Sequence, residues 1–152
     1  MTARIDPLGE YLCFAIYSAG HALNRVYKPM LDALGLTYPQ YLVMTVLWDA
    51  DGRTVGQLGE RLFLDSSTLT PLLKRLEQAG QIRRERDPGD ERVVRARLTE
   101  QGRGLQARAQ AIPGCIVAAS GQSATEVGRL KSEIEDLRDA FNRFSQQKAG
   151  GA

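Results

Sequence analysis

The sequence predicts a mainly α-helical fold with one small two-stranded β-wing, and three stretches predict it. Thr54 to Asp65 reads as a short helix, and Asp65 to Gly80 as a second helix after a tight turn. Gln81 to Thr99 reads as two short strands around a charged tip, Asp87-Pro88-Gly89-Asp90. Long helices with apolar stripes flank this centre on both sides. We expect one domain over 1–152, with a helix-turn-helix and wing at about 37–100 and dimerisation helices at 8–35 and 100–146.

In chain order, Leu8 to Leu34 reads as one long helix, with Pro7 in its first turn. Leu12, Ile16, Ala19, Leu23, Val26 and Met30 recur at helical spacing. Pro29 interrupts that run and is expected to kink it, and Gly35 ends it. A helix of roughly 25 residues would be about 38 Å long, which suggests packing on a second subunit. Thr37 opens a T-x-x-Q capping pattern with Gln40, with Pro39 in the first turn and a helix to about Trp48. Residues 49–53 read as a loop.

Thr54 repeats the pattern with Gln57, and Val55, Leu58 and Leu62 then share one face. Asp65 is the expected cap of the next helix, buried through Leu69, Leu72, Leu73 and Leu76 and ended by Ala79-Gly80. Its other face carries Ser66, Ser67, Thr68, Thr70, Lys74 and Arg75. Short donors for base edges and cations for phosphates are what a helix in the DNA major groove needs. Ile82–Arg86 and Arg92–Leu98 are the expected strands, with Val93 and Val94 favouring extension and the tip residues favouring reversal. A wing with arginines along it, Arg86, Arg92 and Arg95 among them, can reach the minor groove and the phosphates beside the helix.

After the wing, Thr99 is expected to cap a helix toward Ala111, disturbed by Pro113-Gly114 and broken again at Ser120-Gly121-Gln122. Ser123 and Glu126 form a capping box for the last helix, whose stripe is Val127, Leu130, Ile134, Leu137, Phe141 and Phe144. The tail KAGGA is expected to be disordered.

Composition excludes several classes. The 152 residues are 43% hydrophobic and 25% charged, ordinary for a globular protein. A net charge of +2 and a pI near 8.7 do not announce nucleic-acid binding, so a local basic surface must supply it. No apolar run is long enough to span a bilayer, and MTARIDPLGE lacks the apolar core of a secretion signal. A cytoplasmic, reducing location is the default expectation. The two cysteines form no C-x-x-C, and His21 is the single histidine, so neither metal nor cofactor is expected.

Asp90-x-Arg92, followed by the strand ending Leu98-Thr99, resembles the MarR family of winged-helix regulators. Three narrower blocks, LCFAIY at 12–17, LTYPQY at 36–41 and LDSSTLTPLLKRLE at 64–77, resemble its organic-hydroperoxide-responsive repressors (OhrR type). The resemblance covers roughly residues 8 to 105 well and the last third in pattern only. It implies the MarR fold and a homodimer that binds a palindromic operator in double-stranded DNA and leaves it when an organic hydroperoxide oxidises the protein. By residue, Cys13 resembles the reactive cysteine, and Tyr27 and Tyr38 the tyrosines that reach its thiol from the other subunit. Tyr17 resembles a further pocket residue, and Cys115 the second cysteine of the two-cysteine type, paired with Cys13 across the dimer. Arg92 resembles the minor-groove arginine, steadied by Asp90.

Helix geometry bears on the tyrosines independently. Tyr27 lies 14 residues after Cys13, about 21 Å along a continuous helix. It can therefore meet a partner's Cys13 in an antiparallel crossing but not its own, whereas Tyr17 is one turn away. Phenol hydroxyls donating to a thiolate would raise the reactive fraction of the thiol. Two other readings stay open at this point. One is a MarR-type repressor released by a small aromatic or phenolic ligand, with incidental cysteines. The other is a thiol peroxidase, which leaves the helix-turn-helix segment unexplained.

Overall fold

The structure, a computed structural model, describes residues 8–149. The chain divides into two compact units, one up to Ile112 and one from Pro113. The expected place of Pro7, and the last three residues of the tail, lie outside the described residues, while Lys148 and Ala149 are helical.

The first unit runs α1 (Leu12–Asp32), α2 (Tyr38–Asp49), α3 (Val55–Leu62), α4 (Ser66–Gln78), β1 (Ile82–Arg86), β2 (Val94–Leu98) and α5 (Glu100–Ala109). Side-chain caps set most of its helix starts. Thr37 and Thr54 each accept a hydrogen bond from the backbone N–H three residues on, and Gln40 and Gln57 accept in return from the N–H of the threonine. Each box satisfies two amides that a helix start leaves open. Asp65 accepts from Thr68 N–H at 2.8 Å and Thr99 from Gly102 N–H at 3.0 Å. At the end of α4, Gly80 takes φ +74° and Gln81 N–H donates back to the Leu76 carbonyl. That left-handed step is cheap only without a Cβ.

Three boundaries differ from the sequence reading. Helix α1 starts at Leu12 rather than Leu8, because Tyr11 is extended (ψ 116°) and carries no side-chain cap, and it ends at Asp32, where the chain turns through Gly35 (φ +67°) and Leu36 N–H donates back to the Leu31 carbonyl. It continues past Pro29, which lies inside it. β2 starts at Val94 rather than Arg92, because the tip turn extends through Arg92 and Val93 N–H bonds back to the Asp90 carbonyl. The break after α5 falls at Gln110-Ala111, ahead of Pro113, which sits in the first turn of the next helix, where a missing N–H costs nothing.

The core of the unit is Val43, Met44, Leu47, Leu58, Leu69, Leu73, Leu76 and Ile82, all essentially inaccessible. Each such side chain contributes about 1.5–3 kcal/mol by leaving water. α4 supplies the expected stripe, Leu69, Leu72, Leu73 and Leu76. Pro71 lies within α4 without ending it, leaving the Ser67 carbonyl without its usual intrahelical donor. β1 and β2 pair antiparallel from Ile82↔Leu98 to Arg86↔Val94, so Ile82, Ala96 and Leu98 turn inward onto α4 and α5. Glu77 fastens α4 to this hairpin, accepting from Arg84 N–H at 2.8 Å and Arg84 Nε at 2.9 Å. Those bonds hold its carboxyl below the usual carboxylate range.

The second unit holds most of α6 (Ile112–Ala119) and α7 (Ala124–Ala149). Ser123 and Glu126 form the expected capping box, with Ser123 N–H to Glu126 Oε2 at 2.8 Å and Glu126 N–H to Ser123 Oγ at 3.2 Å. Leu130, Ile134, Phe141 and Phe144 stand exposed along α7. In the first unit Leu12, Phe14, Ile16, Leu23 and Val26 do so along α1. Among the described residues no helix is long and apolar enough to cross a membrane.

Candidate nucleic-acid interface and thiol site

The wing tip is built around two aspartates. Asp87 N–H donates to the Val93 carbonyl at 2.8 Å, and Asp87 Oδ1 accepts from Gly89 N–H at 2.8 Å, closing the turn. Asp90 Oδ1 accepts from Arg92 N–H at 3.1 Å and Arg92 Nε at 3.0 Å, and Asp90 Oδ2 accepts from Arg92 Nη2 at 3.1 Å. The side chain of Arg92 is nevertheless 90% exposed. The fork-to-fork contact holds Asp90 below and Arg92 above their ordinary pKa values. An exposed pair adds little stability. What it does is aim a planar guanidinium outward from the tip.

On α4, Ser66, Thr68, Thr70, Lys74 and Arg75 are exposed, as the sequence reading expects of a groove-facing side. Ser67 Oγ donates to the capping Asp65 Oδ1 at 2.5 Å, so only its lone pairs remain for an outside donor. Arg86 Nη1 donates to the Glu91 carbonyl at 2.6 Å across the tip. Arg95 is placed differently from a free phosphate clamp. It is half-buried, ion-paired with Asp87, and donates from Nη1 to the Gly52 carbonyl at 2.9 Å. Two groups escaped the sequence reading. Arg83 is exposed on β1, and the alternation from Ile82 would have found it, since the neighbour of an inward residue points outward. Asp51, in the loop before α3, reaches the base of the wing, and no local pattern foretells that.

Both cysteines are free thiols and exposed, Cys13 on α1 and Cys115 on α6. The Tyr27 and Tyr38 rings meet with centroids 4.7 Å apart, joining α1 to the start of α2. Tyr41 adjoins both, at 6.0 and 6.4 Å, and stands edge-on to Trp48 at 6.3 Å. Trp48 Nε1 then donates to the Gly102 carbonyl at 2.9 Å. Tyr17 is 65% exposed and stacks edge-on with His21 at 4.4 Å.

Burial first, then the neighbouring phenols Tyr38 and Tyr41, then its own hydrogen bond to Tyr38 push the Tyr27 hydroxyl up to about 12. Burial and Tyr41 also raise Tyr38, while the bond from Tyr27 opposes them. Both phenols thus keep their protons, as hydrogen-bond donors must. A raised folded-state pKa means the folded chain holds a proton that the unfolded chain releases between pH 10 and about 12. Stability should therefore fall as pH rises through that window. Thermal unfolding scans from pH 9 to 12 should show a steeper loss in wild type than in Tyr27→Phe. Parallel curves would remove the buried phenol as the cause.

A capped helix-turn-helix with exposed hydroxyls and cations, beside a wing that projects a braced arginine, is the architecture of a winged-helix DNA-binding regulator. The model of the family described as Transcriptional regulator SarA/Rot matches residues 25–108. The chain is 48% identical to the HTH-type transcriptional regulator TtmR of Methylorubrum extorquens, over 93% of this chain and 73% of that one. It is 45% identical to the Organic hydroperoxide resistance transcriptional regulator of Bacillus subtilis, over 90% of this chain and 92% of that one. Among solved structures, reduced AbfR bound to DNA, a Staphylococcus epidermidis protein, matches with TM-score 0.78 and 35% identity, over 95% of this chain and 99% of that one. The disulfide-formed structure of AbfR matches with TM-score 0.63 over 86% and 92%. The chain belongs to the MarR family of winged-helix transcriptional regulators.

Proposed function

We propose that this regulator is a homodimeric repressor that holds a palindromic operator while reduced and releases it when an organic hydroperoxide oxidises Cys13. The observation that carries the reading is the layout of α1. Cys13 is exposed in an apolar stripe, and Tyr27, which meets Tyr38 at the start of α2 with both hydroxyls protonated, lies about 21 Å further along α1. Antiparallel crossing of two α1 helices would cover Leu12, Ile16, Leu23 and Val26 and bring each thiol to the partner's phenols. Both phenols keep their protons, so either hydroxyl can donate to a thiol brought against the pair. The bare stripes on α1 and α7 support a dimer, since apolar patches of this kind mark interfaces. The resemblance to a hydroperoxide-resistance regulator, and to AbfR in its reduced and disulfide forms, supports oxidation as the signal.

In that dimer each α4 would enter a major groove through Ser66, Thr68, Thr70, Lys74 and Arg75, with Ser67 serving through its lone pairs. Arg92 would reach the minor groove, and Arg86 would lie near phosphates. Arg95 keeps the wing in shape. The test is operator release by cumene hydroperoxide, read by fluorescence anisotropy. The competing reading, release by a small phenolic ligand, has its own observation in a cleft of about 360 Å³ beside Tyr38, lined by Asn24, Lys28, Leu31, Leu36 and Pro39. Release by a phenolic acid but not by the peroxide would replace the redox reading.

Arg92→Ala should weaken operator binding by roughly 1–3 kcal/mol, or about 5- to 150-fold. If Arg92 reads base edges, discrimination at the flanking positions should relax. If it meets only phosphate, the loss should be uniform across sequences, with a shallower salt dependence. Unchanged affinity would remove the wing tip from the interface.

A further inference from the structure

Three carbonyl or carboxylate acceptors in the loop before α3 hold the base of the wing. Asp51 Oδ1 accepts from its neighbour Gly52 N–H at 2.8 Å and from Leu98 N–H at 2.9 Å, at the end of β2. Its Oδ2 accepts from Arg103 Nη2 on α5 at 2.9 Å. Gly52 carbonyl accepts from Arg95 and Arg53 carbonyl from Ala96 N–H, both at 2.9 Å. Thr54 forms a bridge to Arg95. The loop therefore serves as a third edge for a two-stranded hairpin, which alone is marginal in water. Gly52 suits this place because its φ is +74°, a left-handed step that a Cβ would strain.

We infer that Asp51 is a positioning residue for DNA binding: one carboxylate ties the wing to the loop before α3 and to α5, and so sets where Arg92 is presented. The inference rests on the reading that the wing enters the minor groove. Asp51 touches no DNA in this scheme. It takes one hydrogen bond from β2 and one ion pair from α5, so the hairpin cannot swing without breaking one of them. Its carboxylate is mostly buried, at 23% side-chain exposure, so no water easily replaces it. The Arg103 arm joins the wing to α5, whose chain continues into α6 and Cys115.

The experiment uses full-length protein and a duplex selected by the wild type from a random library, with hydroxyl-radical footprinting and anisotropy. Wild type should protect the central major grooves and the flanking minor grooves. Asp51→Ala should lose the flanking protection selectively and bind roughly tenfold more weakly. Asp51→Asn keeps the acceptor for Leu98 N–H and should recover much of that protection. Arg103→Gln, with Asp51 intact, tests the α5 arm without disturbing the loop. Circular dichroism and melting curves show that the variants fold. If Asp51→Ala keeps the flanking footprint, or loses central and flanking protection in proportion, Asp51 only stabilises the fold and the inference is overturned. Absence of flanking protection in wild type itself would overturn the wing reading and this inference together.

Discussion

Cys13→Ser is expected to keep its operator at a hydroperoxide concentration that strips wild type from it completely. The exchange replaces an exposed thiol with a hydroxyl of similar size, so folding and reduced-state affinity should be nearly unchanged. What it removes is the chemistry. A thiolate attacks the terminal oxygen of the peroxide, forming a sulfenic acid and releasing the alcohol; a serine hydroxyl near neutral pH does not. Titrating cumene hydroperoxide into the protein–operator complex gives the comparison directly. Release from Cys13→Ser at the wild-type concentration would place the sensor elsewhere and return attention to the cleft beside Tyr38. Tyr27→Phe and Tyr38→Phe supply the finer reading, since loss of a phenol should slow oxidation while leaving binding of the reduced protein alone.

The parts of the fold that were legible in the sequence were those whose physics is local. The T-x-x-Q boxes at Thr37 and Thr54 and the Asp65 cap appear where their spacing puts them, because a cap needs only its own first turn. The α4 stripe follows from helical period alone. Boundaries went astray where a pattern outlasts its cause. The apolar run at 8–34 continues beyond both ends of α1, since periodicity says which face is apolar but not where hydrogen bonding stops. The letters Pro113-Gly114 predict a disturbed helix at that point, yet Pro113 is tolerated in the first turn of α6, and the break precedes it.

The interface divides the same way. Asp90 and Arg92 are two residues apart, and the resemblance of the D-x-R block to the MarR wing implies the pairing that the structure holds. The role of Arg95 could not be read from the letters, because it depends on strand register and on Asp87 and Gly52, the latter 43 residues away. Asp51 was missed for the same reason: its partners are Leu98 and Arg103. The Tyr27–Tyr38 contact crosses from α1 to α2 and lies between. Helix length excluded a contact between Tyr27 and its own chain's Cys13, but only the fold brings the two rings together.

Stoichiometric organic hydroperoxide is expected to convert the wild-type chain into a covalent dimer on a non-reducing gel, reversed by dithiothreitol. Both cysteines are free thiols, exposed on the single chain. Oxidation of Cys13 uses one peroxide and yields a sulfenic acid. Attack by the Cys115 thiol on that sulfur forms the S–S bond and expels water, so one peroxide makes one disulfide. The chain has only two cysteines, so pairing within a chain and pairing between chains give products of different mobility. The family resemblance favours pairing between chains, and a twofold dimer would then carry two equivalent bridges. Bridging requires Cα atoms within about 7 Å. Meeting that demand would shift α1 or α6 and change the spacing of the two wings, which must fit successive grooves. Cys115→Ser should form no covalent dimer yet still oxidise at Cys13. Under excess peroxide its mass should rise to the sulfinic or sulfonic level, because no second thiol traps the sulfenic acid. The cross-subunit assignment is falsified if oxidised wild type runs as a monomer while peptide mapping links Cys13 to Cys115 within one chain. A free Cys115 thiol in fully released protein would instead show that Cys13 works alone.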